Sequence, residues 1–326
     1  MLRFAMISKW HVHARGYAKM VQEQPDACIT CVWDEDPVRG AELAQELDFD
    51  FVADYDALLA REDVDAVLID TPTNMHKDVM VKAAKAKKHI FTEKVLALTV
   101  ADCDEVIAAV EENGVKFSIC FPHRCLPRNL FIKQAVESGM LGDITVFRVR
   151  NCHNGATAGW LPEYWYDPIT TGGGAMMDLG AHGMYMANWL MGKPVRINSM
   201  FNNITPKPVD DNAVCTIEFE NGGIAITETS LVNPYNPFMC EVYGTKGCII
   251  GCDNDLKLRN EETMKLVEGG WITPKMPEAL PHPIRQFIDG VLYGKEIIFG
   301  LKEARVLTEL MEKAYIAHNE NRTVEF

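Results

Sequence analysis

The chain has 326 residues, 48% of them hydrophobic and 24% charged, and its 46 acidic against 32 basic side chains give a formal charge of −14. That length suits two cores better than one, and the acidic excess repels phosphate polymers and anionic headgroups, which argues against nucleic acid or membrane surfaces as partners. The first apolar run, LRFAMI, is shorter than a signal-peptide core and no run approaches a membrane span, so a cytoplasmic location is expected.

From Leu2 to about Phe121, strand-like RFAMI, CITCVW, AVLIDT, HIFTE and KFSICF alternate with segments of helical period such as DPVRGAELAQEL and HKDVMVKAAKAKK. Continuous apolar strands between helices predict a parallel sheet covered on both faces, a doubly wound α/β Rossmann domain over residues 1–122. After CFPHRCLP the pattern changes to one helix, a strand, an aromatic and glycine-rich connection and a helix from about Ala175 to Leu190. Strand-like segments joined by turn-forming ENGG and GTKG follow, then two closing helices. Residues 123–326 thus read as an α+β domain with a large, mostly antiparallel open sheet. An uncovered sheet face predicts a homodimer or homotetramer.

The ten cysteines lie in apparent strands such as FSICF and CEVYG, as buried reduced thiols would. Cys28 and Cys31 have CxxC spacing, but strand alternation sends positions three apart to opposite faces, so core packing is the stronger reading.

Asp34 ends the second strand, where a dinucleotide fold places the acid that accepts hydrogen bonds from the adenosine ribose. Glu35 and Asp36 add charge that repels a 2′-phosphate and favours NAD, although Asp36 also suits a helix cap before Pro37. Thr71, Pro72, Asn74 and His76 follow the AVLID strand, and Glu93 and Lys94 follow HIF, both at the ligand-binding ends of parallel strands. The first loop, ISKWHVHARG, has no glycine between Ile7 and Gly16. Ser8, Lys9, His11 and His13 offer side-chain donors for a pyrophosphate in place of backbone amides, with Trp10 covering the nucleotide. The competing reading is an aromatic-filled loop that binds no cofactor.

Downstream, TTGGGAMMDLGAHGMYMANWLMG carries Asp178 and His182 four apart on one helix, a carboxylate and an imidazole suited to general-base work or to a plain helix hydrogen bond. Two ligands without a third make zinc a poor reading there, and no metal is expected. Trp160, Trp165 and Tyr166, with His153 and Asn154 beside them, read as a sugar platform or as packing.

TEKVLALT, GGGAMMDLGAHGMYMANWLMG, LLAREDVDAVLIDTPTNMH, AVESGMLGDI and YGTKGCI stand in the order of the glucose-fructose oxidoreductase / inositol dehydrogenase (Gfo/Idh/MocA) family, which the whole chain resembles. The resemblance implies an NAD- or NADP-binding Rossmann domain, a substrate-binding sheet domain and hydride transfer between a sugar or cyclitol carbinol and nicotinamide. By position, Lys94, Asp178 and His182 match the family's catalytic set: His182 takes the hydroxyl proton, Lys94 polarises the same oxygen and Asp178 holds the geometry. His123 and Arg124 would face the same substrate, with Arg124 alternatively pairing with an acid. Val95 replaces the family's proline after the lysine, and Tyr185 stands where many relatives have aspartate.

The sequence therefore predicts an NAD-dependent oxidoreductase acting on a sugar, glycoside or cyclitol secondary hydroxyl, with a side-chain cage that keeps NAD bound and recycling. Two alternatives remain open: an NAD-dependent glycoside-cleaving enzyme working by transient oxidation and elimination, and a non-catalytic sugar or nucleotide sensor.

Overall fold

The computed structural model describes residues 1–326, and the chain divides into two compact units. One contains Met1–Phe121 and Pro281–Thr308, the other Pro122–Leu280 and Glu309–Phe326. The segment Pro281–Thr308 thus groups with the Rossmann unit, where the reading by chain order had assigned it to the C-terminal domain. No helix is long and apolar enough to cross a membrane.

The first unit runs β1 (Leu2–Ile7), α1 (Ala14–Gln22), β2 (Ala27–Trp33), α2 (Pro37–Leu47), β3 (Asp50–Phe51), α3 (Tyr55–Leu59), β4 (Ala66–Ile69), α4 (His76–Lys85), β5 (His89–Thr92), α5 (Val100–Asn113) and β6 (Phe117–Ile119). Its six strands are all parallel in the order β3-β2-β1-β4-β5-β6. Strand order reverses between β1 and β4, so their carboxyl ends open onto the crevice where such sheets hold ligands. Local chemistry starts and stops the helices. Asp36 caps α2 by accepting from the amides of Val38 and Arg39, with Pro37 in the first turn, and Thr99 caps α5 through the amide of Asp102.

The helix Pro283–Tyr293 belongs here because it completes the core. Phe287 is fully buried, its ring 5.9 Å from that of Phe4 and 5.8 Å from that of Phe91, over β1 and β5. Burying a phenylalanine this way contributes roughly 2–3 kcal/mol, which no chain-order argument reveals.

The second unit contains α6 (Pro127–Glu137), β7 (Ile144–Cys152), α7 (Gly155–Ala158), α8 (Pro168–Thr171), a π-helical turn at Met176–Gly180, α9 (Ala181–Met191), β8 (Pro194–Asn202), β9 (Asn212–Phe219), β10 (Ile224–Ser230), β11 (Met239–Gly244), β12 (Gly247–Cys252), β13 (Asp255–Asn260), α10 (Glu261–Leu266) and β14 (Val324–Glu325). Its eight strands are ordered β13-β12-β11-β7-β10-β9-β8-β14, antiparallel except for the central pair β7 and β10. The expected hairpins are present: β9 turns into β10 through Gly222 at φ 80°, and β11 pairs with β12. Helix α9 lies against β7 and β10. A Cβ at Gly183 would stand only 3.1 Å from Val149 Cγ1 and 3.2 Å from Thr227 Cβ, so glycine there permits the close approach that sets the depth of its neighbour His182.

Candidate active site

Each unit presents its own group of polar side chains. In the Rossmann unit the first loop turns at Ser8, whose φ of 74° is the left-handed conformation that a fingerprint glycine would adopt. Ser8 is fully buried, and its Oγ accepts from the amide of Trp10 at 3.0 Å, offsetting part of the backbone cost. Asp34, 3% exposed, accepts from the amides of Lys9 (2.8 Å) and Asp36 (2.9 Å) and from both Nε (3.1 Å) and Nη2 (2.6 Å) of Arg39. Two amides therefore aim the carboxylate and Arg39 balances its charge. Arg39 also bonds Glu35, so the acidic triplet is partly neutralised. Sequence reasoning missed Arg39, although its spacing of four from Glu35 on the approach to a helix was the available signal.

His11 and His13 converge on Glu93 at the end of β5. His13 Nδ1 lies 2.8 Å from Glu93 Oε1 and His11 Nδ1 lies 3.6 Å from it, while the Tyr17 hydroxyl donates to the same oxygen and the Lys94 amide donates to Oε2 at 2.9 Å. Burial by itself raises the Glu93 carboxyl, but the neighbouring charges of His11, His13 and Lys94 outweigh that and hold it well below the usual range. Trp10 is 6% exposed, with its ring centroid 6.4 Å from that of His11. Lys94 is 5% exposed and the Lys94–Val95 peptide bond is cis. Thr71 is 2% exposed, and Pro72 leads into the short turn holding Asn74. His76, expected to touch cofactor, is 1% exposed and engages both ring nitrogens on carbonyl oxygens, Nδ1 with Val95 (2.8 Å) and Nε2 with Thr71 (3.1 Å). It fastens the loop after β4 to the loop after β5, and burial lowers its basicity.

Asp70, at the end of β4, went unnoticed in the sequence because its chain neighbours are all apolar or small. It is fully buried, neither carboxyl oxygen has a hydrogen-bond partner, and burial, aided by Glu93, pushes its pKa well above the ordinary value. A raised carboxyl pKa means that folding favours the protonated form, so this group's contribution to stability is intact below its unfolded pKa of about 3.9 and is lost as pH rises towards the folded value. Asp70→Asn has no proton to lose. Its stability is expected to exceed that of the parent by a margin that widens from mildly acidic to mildly alkaline pH, by up to about 1.4 kcal/mol per pH unit while only the folded form stays protonated, and its melting temperature rises accordingly. Parallel thermal melts across that range check this; a constant margin would refute it.

In the second unit the triple glycine is a packing device. Gly174 passes so close to Asp210 that a Cβ would stand 1.8 Å from its carbonyl oxygen. Asp210 holds the entry to the π-turn: Oδ1 accepts from the Gly174 amide (2.9 Å), Oδ2 from the Met176 amide (2.8 Å), and its backbone carbonyl from Ala175 (2.6 Å). The Tyr315 hydroxyl donates to Oδ1 at 2.8 Å.

Asp178 lies inside that π-turn, whose wider spacing departs from the uniform helical period assumed between it and His182. His182 Nδ1 lies 2.9 Å from the Tyr185 hydroxyl oxygen, which also accepts from the His123 amide at 3.2 Å, so an Nδ1–H donated to that oxygen leaves Nε2 free to accept a proton. His182 is 7% and Tyr185 3% exposed, and the rings of His182 and His123 lie 4.6 Å apart. Tyr185 thus contacts the imidazole from the same helix face, a relation already present in the sequence as i, i+3 spacing.

Arg124 lies over the Trp189 ring at 4.9 Å, a cation–π contact. Of the aromatic residues proposed as a platform, Trp160 is 53% exposed and packs at 4.6 Å on His153, while Trp165 and Tyr166 are buried. All ten cysteines are free thiols.

Residues 8–121 match the NAD-binding Rossmann-fold domain of the Gfo/Idh/MocA oxidoreductases and residues 130–250 match the family's C-terminal domain. The chain belongs to the Gfo/Idh/MocA family. Among Gfo/Idh/MocA relatives, the scyllo-inositol 2-dehydrogenase (NAD(+)) of Bacillus subtilis is 30% identical over 247 residues, which span 73% of this chain and 69% of that protein. The 2,7-anhydro-N-acetylneuraminate hydratase of Mediterraneibacter gnavus is 29% identical over 318 residues, 86% of this chain and 83% of that one. The crystal structure of GenD2 from gentamicin A biosynthesis, in complex with NAD, shares the fold with a TM-score of 0.86 at 24% identity, covering 100% of this chain and 96% of that one. The two-domain Gfo/Idh/MocA architecture expected from the sequence is thereby established.

Proposed function

We propose that this chain is an NAD-dependent oxidoreductase that moves a hydride between a secondary carbinol of a sugar, glycoside or cyclitol and nicotinamide. The observation that carries the proposal is the placing, on one parallel sheet, of Asp34 at the end of β2 and buried Lys94 just beyond β5, on either side of the strand reversal. NAD fits the residues present. Asp34 and the turn at Ser8 would hold the adenosine end, with Arg39 yielding its place on Asp34 to the ribose hydroxyls, and Trp10, His11, His13, Thr71, Pro72, Asn74 and Glu93 border the remainder. Bound NAD supplies a two-electron acceptor at its nicotinamide ring.

The chain's residues do the rest. The Lys94 ammonium donates to the carbinol oxygen and stabilises its developing negative charge. His182, oriented through Nδ1, takes the hydroxyl proton on Nε2. Asp178 orients the substrate, and Arg124, His153 and the exposed face of Trp160 contribute to its recognition, with Trp165 and Tyr166 supporting that loop. Because oxidation releases a proton, turnover in that direction rises with pH. The test is a panel of glycosides, aldoses and cyclitols incubated with the protein and NAD while NADH absorbance is followed; no turnover on any member, with NAD bound, would defeat the reading.

Loss of the Tyr185 hydroxyl should uncouple orientation from binding. Tyr185→Phe is expected to lower kcat about tenfold, the worth of one hydrogen bond, with KM little changed. Tyr185→Asp restores a carboxylate, keeps activity and shifts the acid limb of the pH profile to higher pH, because a carboxylate favours the imidazolium. Steady-state kinetics across pH distinguish these results from a merely structural role, which would move KM and stability together.

A second reading, glycoside cleavage through transient oxidation and elimination, is favoured by the relative named as a hydratase. Release of the aglycone without net NADH would select it. NAD that stays bound and recycles would serve either reading, and nucleotide released from freshly purified, denatured protein tests for it. A homodimer or homotetramer formed through the open sheet face, where Met200 is 76%, Ile224 45% and Val214 39% exposed, completes the proposal, with light scattering as its check.

A further inference from the structure

A cluster of potential metal ligands borders the proposed cofactor site between β1 and α1. Val12 separates two histidines whose rings both turn towards the carboxylate that ends β5, and the donor atoms of His11, His13 and Glu93 all lie within 4.8 Å of one another. Two imidazoles and one carboxylate form a donor set that divalent transition ions take up at bond lengths of about 2.0–2.2 Å, which requires ligand atoms roughly 3–3.6 Å apart. His13 and His11 stand 2.8 Å and 3.6 Å from the same Glu93 oxygen, so small side-chain adjustments suffice.

The carboxylate is also held as a metal ligand needs to be. The Tyr17 hydroxyl on Oε1 and the Lys94 amide on Oε2 fix its plane and supply the outer hydrogen bonds that orient ligands in established metal sites. The His11 and Glu93 side chains are 7% and 3% exposed while that of His13 is 53% exposed, which gives an ion a route in from the His13 side and leaves a coordination position for water. A buried carboxylate facing two imidazoles is an arrangement in which a bound metal ion can engage all three groups at once.

We propose that His11, His13 and Glu93 form a binding site for a divalent first-row transition ion of the zinc class. The sequence motif is a His-x-His in the first loop combined with a glutamate at the end of the fifth strand, and the site is distinct in its residues from the carbinol chemistry assigned to His182.

The test uses the full-length protein, stripped with chelator and titrated with Co²⁺. A single saturable equivalent is expected, with the visible bands of nitrogen and oxygen ligation and without a thiolate charge-transfer band, since ten free cysteines offer the competing ligands. His13→Ala and Glu93→Gln should each weaken Co²⁺ binding about tenfold to a hundredfold. Glu93 is buried and its substitution disturbs a network, so the exposed His13 variant carries the decision, together with a second readout: Zn²⁺ raises the melting temperature of the parent and not that of His13→Ala. Absence of saturable binding, unchanged affinity in His13→Ala, or a spectrum dominated by thiolate ligation overturns the proposal.

Discussion

Lys94→Met is expected to lower kcat/KM for carbinol oxidation by about a thousandfold while the fold survives. Methionine keeps the length and unbranched stem of the side chain, so the buried volume beyond β5 stays filled, and the hydrogen bond to Glu93 is made by the backbone amide and persists. What disappears is a cation at the oxygen on which negative charge develops, and a preorganised donor of that kind is worth roughly a hundred- to a thousandfold, more when it carries full charge in a water-poor position. NAD affinity by calorimetry and the melting temperature separate this from a folding defect. Both should stay close to the parent values, and a variant that turns over at near-parent rates would remove Lys94 from the chemistry.

The second large effect is expected at His182. Replacement by asparagine retains a polar group of similar reach on α9 and removes the proton acceptor, at a cost of about 10²- to 10⁴-fold in kcat. The pH dependence is diagnostic. In the parent, oxidation slows as pH falls because the imidazole must be unprotonated to accept the hydroxyl proton; in His182→Asn the residual rate loses that limb, or follows the concentration of hydroxide. Primary deuterium substitution at the carbinol carbon adds a further check, since hydride transfer then becomes no less rate-limiting in the variant. A parent-like acid limb in His182→Asn would assign the base to another group.

Much of the architecture was legible in the residues because it is written locally. Apolar runs of strand length between amphipathic helices specify a parallel sheet, Asp36 with Pro37 starts α2, and Asn221 with its following glycines turns β9 into β10. The features that escaped are those decided by distant packing. Nothing in HPIRQFIDGVLYG says that Phe287 will sit between Phe4 and Phe91, more than 190 residues away in sequence, because an amphipathic helix of that pattern satisfies any apolar surface.

The candidate site divides in the same way. Lys94 and Asp34 could be placed because strand ends are readable, whereas the orientation of His11 and His13 could not, since only the tertiary position of Glu93 draws them together. The Tyr185 hydroxyl beside His182 Nδ1 was not foreseen, because a uniform helical period was assumed across a turn that is π-helical. Asp70 shows the opposite failure: an isolated acid in LIDTP looks unremarkable in one dimension and becomes conspicuous only when its surroundings close over it.

The tight passage of Gly174 against Asp210 has a consequence for anyone wishing to retarget the protein by laboratory evolution. Libraries that randomise the glycine run would be dominated by unfolded clones, since even a methyl group collides with main chain there. Diversity is better invested around Trp160 and His153, where an exposed ring can change size and polarity without disturbing the scaffold that carries the imidazole.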